Sequence, residues 1–327
     1  MSTPLRIIDG ATVRRLAPPE TLIAWMRPAM IATSRRAVEL PLRRGMVLPG
    51  GLGVIGMMPG YVGEDAASAG VKLVSLVPPE RRRGSSHLGL MVLYDADGLV
   101  PQAVLCGATI TALRTAAVSA LATSVLARPD AGVLAIVGAG EQAAAHIPAL
   151  MAVRAFRRIV IWARRREQAE ALAATVQAPA ELVVASSVQE AVAAADVVCT
   201  LTSAREPVLH GAWLAPGTHV NLVGSSSADA READDDVVQR SRFFVDYIPS
   251  TLDQAGEFLH AKNTGLVDDT HIAAELGAVL EGIAEGRRTP QDITVYKSLG
   301  IAAQDVVTAR QVFRAACEQD LGVAAAV

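Results

Sequence analysis

Cysteine is scarce in this 327-residue chain: Cys106, Cys199 and Cys317 are odd in number and far apart. Such a set builds neither a disulfide framework nor a zinc pair, and it fits a reducing compartment. No run of 18 apolar residues is present, and the opening MSTPLRIIDG lacks the basic-then-apolar pattern of an export signal. The expectation is a cytoplasmic protein with no membrane partner. A charge excess is missing too: 30 Lys and Arg against 33 Asp and Glu leave −3, which argues against nucleic acid as a partner. The six histidines show no HxxxH or HExxH spacing. The run Asp234-Asp235-Asp236 reads as an acidic helix start, because contiguous carboxylates on a helix cannot all face one ion. No metal is expected. Internal repeats and low-complexity linkers are likewise absent. What remains is 51% hydrophobic and 19% charged residues, enough for a sizeable core and incompatible with global disorder. The length suits two domains or one large one.

The organisation changes near residue 114. Before it, turn signals such as Pro49-Gly50-Gly51, Pro59-Gly60, Pro78-Pro79 and Asp97-Gly98 separate apolar runs, among them 71–77 and 88–94. Asp95-Ala96-Asp97-Gly98 reads as a hairpin turn. Arg81-Arg82-Arg83 reads as a solvated loop. After residue 114, strand and helix periods alternate. Helices are predicted over 116–127, 141–153 and 167–176. Strands are predicted over 132–137, 158–162, 181–185, 196–201, 218–224 and 243–246. Ser187 and Glu190 have capping-box spacing ahead of another short helix. A helix over 272–284, a strand over 293–297 and a last helix over 301–318 close the chain. The fold class is therefore α/β, with a Rossmann-like, doubly wound parallel sheet.

The strongest motif is Gly138-Ala139-Gly140-Glu141-Gln142-Ala143, a G-x-G-x-x-A between the strand GVLAIV and a helix. The first glycine permits a tight turn and the second lets backbone approach a pyrophosphate. The small third residue allows close helix–strand packing, and the phosphates meet the positive helix N-terminus. The next strand ends Trp162-Ala163-Arg164-Arg165-Arg166. A site for NAD(H) usually carries Asp or Glu there to take the ribose 2′-hydroxyl. Arginines instead suit an anionic 2′-phosphate, so NADP(H) is expected over NAD(H), with Arg164 and Arg165 as contacts.

Three cations precede this loop: Arg43, Lys72 and Arg114. Lys72 lies in an otherwise apolar strand, where an ammonium needs an anion or a solvated cleft. Together they suggest a carboxylate-bearing substrate held beside the dinucleotide. His87 is a further pocket candidate, and Glu257 another.

With these residues assembled, the sequence resembles the ornithine cyclodeaminase/mu-crystallin family, and within it the mu-crystallin-like ketimine reductases. The resemblance rests on an ordered set. It comprises Pro41-Leu42-Arg43, Met58-Pro59-Gly60-Tyr61, Val71-Lys72, Ile110-Thr111-Ala112-Leu113-Arg114-Thr115, Gly138-Ala139-Gly140-Glu141-Gln142, Gly217-Thr218-His219-Val220-Asn221 with Gly224, Arg231-Glu232, and Thr294 to Gly300 followed by Asp305. It implies a homodimer. Residues 1–114 and 301–327 would form a mixed α+β substrate and dimerisation domain, and the NADP-binding Rossmann domain, 115–300, would be inserted into it. By resemblance, Arg43, Lys72 and Arg114 fall on substrate-carboxylate positions. Gly138, Gly140, Glu141 and Gln142 fall on the pyrophosphate loop. Thr202, Ser203, Val223 to Ser225, Ser298 and Leu299 fall on ribose and nicotinamide surfaces.

Two departures separate the chain from true cyclodeaminases. Gly56 stands where they carry a glutamate, and Ser226 where they carry an aspartate; Asp229, close in sequence, could in principle substitute, so the lyase stays among the alternatives. The activity this implies is NADPH-dependent reduction of a small cyclic imino acid, Δ1-pyrroline-2-carboxylate or Δ1-piperideine-2-carboxylate, to proline or pipecolate. His87 or Lys72 would supply the proton that the imine needs. The alternatives are an ornithine or lysine cyclodeaminase, an alanine dehydrogenase-like or opine-forming enzyme, and a non-enzymatic small-molecule binder.

Overall fold

The computed structural model describes residues 5–63, 67–78, 81 and 87–326, with the backbone alone of His87. The chain divides into two compact units, Met1–Arg114 with Ile301–Val327, and Thr115–Gly300.

The first unit is built on an eight-stranded sheet. Its strands are β1 (Leu5–Ile8), β2 (Val38–Glu39), β3 (Arg44–Leu48), β4 (Gly53–Val62), β5 (Ser68–Leu76), β6 (His87–Tyr94), β7 (Pro101–Cys106) and β16 (Val323–Ala325). Their order is β16-β1-β7-β6-β5-β4-β2, with β3 also paired to β4. The β6–β7 hairpin turns at Asp95, as expected: its carboxylate accepts the Gly98 N–H at 2.6 Å. Helices α1 (Gly10–Leu16) and α2 (Pro19–Ser34) follow β1. The last helix, α11 (Ala302–Glu318), returns to pack on α2, β4, β5 and β6. Its buried Ala302, Val306, Ala309, Val312 and Ala316 recur at helical spacing and make one apolar face. Gly60 permits the close approach, since a Cβ there would stand 2.7 Å from that of Ala302. The opposite sheet face stays exposed and is also apolar. Met57, Leu73 and Leu90 lie side by side across β4, β5 and β6, beside Ile55 and Met46.

Helix α3 (Gly107–Leu126) begins directly after β7, so Arg114 lies inside a helix instead of ahead of one. It is long and apolar enough to cross a membrane by length and composition, but 83% of that stretch is buried inside the protein. A helix apolar on all sides is a core helix.

The second unit is a parallel sheet with order β10-β9-β8-β11-β12-β15-β13-β14. The strands are β8 (Val133–Val137), β9 (Arg158–Trp162), β10 (Glu181–Val184), β11 (Val197–Thr200), β12 (His219–Leu222), β13 (Ser241–Val245), β14 (Ile272–Glu275) and β15 (Ile293–Lys297). The chain starts at β8 in the middle, winds out to β10, then returns to β11. The reversal between β8 and β11 is the topological switch point of a Rossmann-like fold. Helices α4 (Glu141–Met151), α5 (Arg166–Thr175) and α6 (Val188–Val192) make the crossovers of the first half. Ser187 caps α6 by accepting the Glu190 N–H, and the Glu190 carboxylate reaches back to the Ser186 N–H. Helices α7 (Asp235–Gln239), α8 (Ile248–Gln254), α9 (Gly256–Asn263) and α10 (Leu276–Leu280) belong to the second half. Asp234 caps α7, in keeping with the acidic-start reading.

The predicted helix over 272–284 is corrected. Residues Ile272–Glu275 form edge strand β14 against β13, and only Leu276–Leu280 are helical. Pairing to an available parallel edge overrides the helical period, and Gly282, at φ 81°, follows the short helix.

Asp196 ties the start of this sheet together. Its carboxylate accepts the backbone N–H groups of Gly132 and Val133 at 2.8 and 2.9 Å and pairs with Arg128. Asp196→Ala would leave these donors without their partner, and we expect a loss of about 2–4 kcal/mol in urea unfolding. A change below about 0.5 kcal/mol would contradict this reading.

Candidate active site

Two groups of residues carry the chemistry, one in each unit. In the first unit, the β4–β5–β6 register aligns Met58, Lys72 and Met91 on the covered face. The Lys72 side chain is 3% exposed, and its Nζ lies 2.8 Å from Asp305 Oδ2. Arg114 reaches the same carboxylate, Nε to Oδ1 at 3.0 Å, and donates from Nη1 to Gln304 Oε1 at 2.8 Å. Asp305 and Gln304 stand in the first turn of α11. Two buried cations thus share one buried carboxylate. Burial pushes the Lys72 ammonium down, Asp305 pushes it back up, and Arg114 and Arg43 push it down again, to about 8. Burial alone would raise the Asp305 carboxyl, but Arg114 and Lys72 hold it below its ordinary value. The cluster therefore keeps a net positive charge and can receive a small anion.

In the second unit, the loop after β8 has the geometry of a dinucleotide cradle. Gly138 sits at φ 123°, and a Cβ there would come within 2.6 Å of the Leu201 carbonyl oxygen. No side chain could be added at that point. A Cβ on Gly140 would meet nothing within 4 Å, so its backbone faces open space. Gly140 caps α4 without a side-chain hydrogen bond, and the N-terminus of a helix is a favourable place for an anion. Ala143 is fully buried, as the close helix–strand packing requires. These features fit a pyrophosphate.

Thr202 and Ser203 follow β11, Val223 to Ser225 follow β12, and Ser298 and Leu299 follow β15. All three loops leave the carboxyl ends of adjacent parallel strands. The Ser298 hydroxyl is buried and lacks a partner among the described residues, as a ligand contact would require. The Ser225 hydroxyl instead donates to the Ala230 carbonyl. Arg164 and Arg165 follow β9 and are exposed, with no carboxylate partner among the described residues. Glu141 and Gln142 open α4, and the Gln142 carbonyl accepts from the buried His146 ring.

Buried carboxylates hold these loops. Glu232 accepts the Thr202 N–H and the Gly224 N–H, both at 2.6 Å, and the hydroxyls of Thr200 and Thr202. Burial raises its carboxyl, against the hydrogen bonds from Thr202 and Thr200. Asp246 accepts the N–H groups of Leu299 and Gly300 at 2.8 and 2.7 Å. Glu257, a pocket candidate in the sequence, is fully buried and pairs with Lys297 at 2.7 Å.

The residues predicted for substrate binding thus gather as Lys72 and Arg114, with Arg43 close enough to act on Lys72. The His87 side chain, Arg82 and Arg83 lie outside the described residues; Arg81 is exposed. Asp229 is exposed and paired to Arg205. No group of His, Cys, Asp or Glu able to hold a metal occurs among the described residues. Sequence reasoning reaches Asp305 and Glu232 only as marks of resemblance and assigns them no role. The signal of Asp305 is a charge among apolar neighbours, in Ile301-Ala-Ala-Gln-Asp305-Val-Val, whereas Glu232 stands in the charged run 229–236 and carries no such signal. A buried Lys72 demands such a carboxylate.

Comparison with known proteins agrees with this architecture. The model of the ornithine cyclodeaminase/mu-crystallin family matches residues 30–320. Mouse ketimine reductase mu-crystallin is 39% identical over 278 residues, 84% of this chain and 85% of that protein. A Δ1-pyrroline-2-carboxylate reductase of Bacillus cereus is 31% identical over 322 residues, 97% of this chain and 98% of its own. The structure of Thermococcus litoralis Δ1-pyrroline-2-carboxylate reductase with NADH and L-proline superposes with a TM-score of 0.94 at 32% identity, covering 98% of this chain and 99% of that one. The chain belongs to the ornithine cyclodeaminase/mu-crystallin family.

Proposed function

We propose that this protein reduces a cyclic ketimine carboxylate, Δ1-pyrroline-2-carboxylate or Δ1-piperideine-2-carboxylate, to proline or pipecolate with NADPH in the cytoplasm. Its relatives are named as reductases of ketimines and of a pyrroline carboxylate, and the chain is an oxidoreductase of that kind. The observation that carries the substrate class is the buried cation pair Lys72 and Arg114 on the single carboxylate Asp305. A substrate carboxylate would add the second counter-charge.

In this reading Lys72, Arg114 and Arg43 hold the substrate carboxylate and orient the ring. The loops after β8, β11, β12 and β15 hold the dinucleotide. The nicotinamide, when bound, supplies a hydride to the imine carbon. The imine nitrogen takes a proton from Lys72 or His87, so that C=N becomes CH–NH. The lyase alternative has little support: Gly56 and Ser226 bring no carboxylate, and Asp229 is engaged with Arg205.

The relative from Thermococcus litoralis is described with NADH. NADP(H) is favoured for this chain by Arg164 and Arg165, exposed at the end of β9 where an acidic residue would otherwise take the ribose 2′-hydroxyl. The substrate panel is therefore both imines with NADPH and with NADH. We expect turnover of at least one imine and a lower KM for NADPH. Turnover of pyruvate with ammonia in place of both imines would refute the reduction proposed. Arg164→Ala combined with Arg165→Ala should raise the KM for NADPH by about 10-fold or more and leave that for NADH nearly unchanged.

Lys72 sets the pH dependence. With its pKa lowered to about 8, it is charged below that pH and neutral above it. Binding of an anion should therefore weaken as pH rises through this value. Cyclopentanecarboxylate, which has no titratable nitrogen, is the probe: its Ki should be flat below the break and rise above it. Asp305→Asn removes the charge that keeps Lys72 protonated and should move the break to lower pH. A break that stays in place would remove Lys72 from this role.

We also propose a homodimer formed through the exposed apolar face of the first unit's sheet. Met57 and Leu90 are 46% and 50% exposed there, and a contiguous apolar patch marks an interaction surface. Light scattering should give a dimer for the native chain and a monomer for Met57→Glu with Leu90→Glu.

A further inference from the structure

We propose that Glu232 is the positioning residue of the dinucleotide cradle: its carboxyl group fixes the loops after β11 and β12 in the shape that receives the cofactor. This rests on the dinucleotide-binding reading given above. Glu232 is fully buried. Its Oε1 accepts the Thr202 N–H at 2.6 Å and the Thr202 hydroxyl at 2.7 Å, and its Oε2 accepts the Gly224 N–H at 2.6 Å and the Thr200 hydroxyl at 2.7 Å. Each oxygen therefore faces one backbone N–H, which can only donate. A group that accepts at both oxygens is required, and a carboxyl group alone among side chains of this length provides it. An amide fails in either orientation, because its NH2 would face an N–H.

The residue is also locked from behind. Its own N–H donates to Glu257 Oε1 at 3.0 Å, Glu257 pairs with Lys297, and Lys297 Nζ donates to the Ser225 carbonyl at 2.8 Å. The loop after β12 is thus held from both sides, and Lys297 immediately precedes Ser298. Gly224 leaves room for the arrangement: a Cβ there would fall 2.2 Å from the Thr202 carbonyl oxygen and 2.5 Å from Glu232 Oε1. Glu232 itself faces loop backbone and hydroxyls, so it acts through Thr202 and Gly224.

This role has a distinctive sign. Any negative charge on Glu232 would repel a polyanionic cofactor, so charge alone predicts that Glu232→Gln binds NADPH at least as tightly as the native chain. Positioning predicts the reverse. The test is calorimetric titration of the full chain, without substrate, by NADPH and by NADH, with melting temperatures recorded in the absence of ligand.

We expect Glu232→Gln to raise the Kd for NADPH by about 10-fold or more, and to raise KM for NADPH while kcat at saturation changes little. Thr200→Val removes one donor from Oε2 without touching the loops, and should raise the Kd by about 3-fold. If Glu232→Gln fails to fold, Thr200→Val decides. An unchanged or lower Kd in the folded variant, even with a lowered melting temperature, would reduce Glu232 to a purely structural residue and overturn the proposal. Native chain that binds neither dinucleotide would instead overturn the cofactor reading, and this inference with it.

Discussion

A buried ammonium requires a counter-charge, and in the first unit that requirement falls on Asp305. Lys72 comes from the middle of β5, Arg114 from α3 and Asp305 from the first turn of α11. The three lie far apart along the chain, and their ion pairs close a unit made from its two ends. Such pairs are poor sources of stability, because desolvation offsets most of the attraction. Their value here is an uncompensated positive charge in a dry place.

The second unit solves the opposite problem. Parallel strands all end at one edge, and the loops that leave them carry backbone N–H groups beyond the regular ladder. Glu232 and Asp246 take up those donors in the loops after β11, β12 and β15. The start of α4 is treated differently. It has no side-chain cap, and Gly140 faces open space. Donors of the loops after β11, β12 and β15 are satisfied by buried carboxylates, whereas the start of α4 relies on no side-chain cap.

Much of this is legible in the sequence, for identifiable reasons. The parallel strands are continuous apolar runs, and Gly138-Ala-Gly140 is local chemistry confined to one turn. The structure has β8, β9 and β15 almost where the period puts them. The sequence pattern puts Arg114 ahead of its helix, while the structure joins β7 to α3 without a loop, so that the helix starts at Gly107. Residues 272–284 carry a helical period, but an open strand edge at β13 claims the first part. Periodicity cannot register an edge that exists only after folding.

The sequence by itself determined the α/β class, the glycine turn before α4, the arginines after β9 and the presence of a lysine in an apolar strand. These are local properties, set by backbone sterics and side-chain type within a few residues. Only the tertiary structure decided that Lys72 and Arg114 meet at Asp305, and that Thr202 and Gly224 meet at Glu232. Such pairings are chosen by burial: once a charge or an N–H leaves water, its partner must be whatever the fold brings within about 3 Å, regardless of separation along the chain.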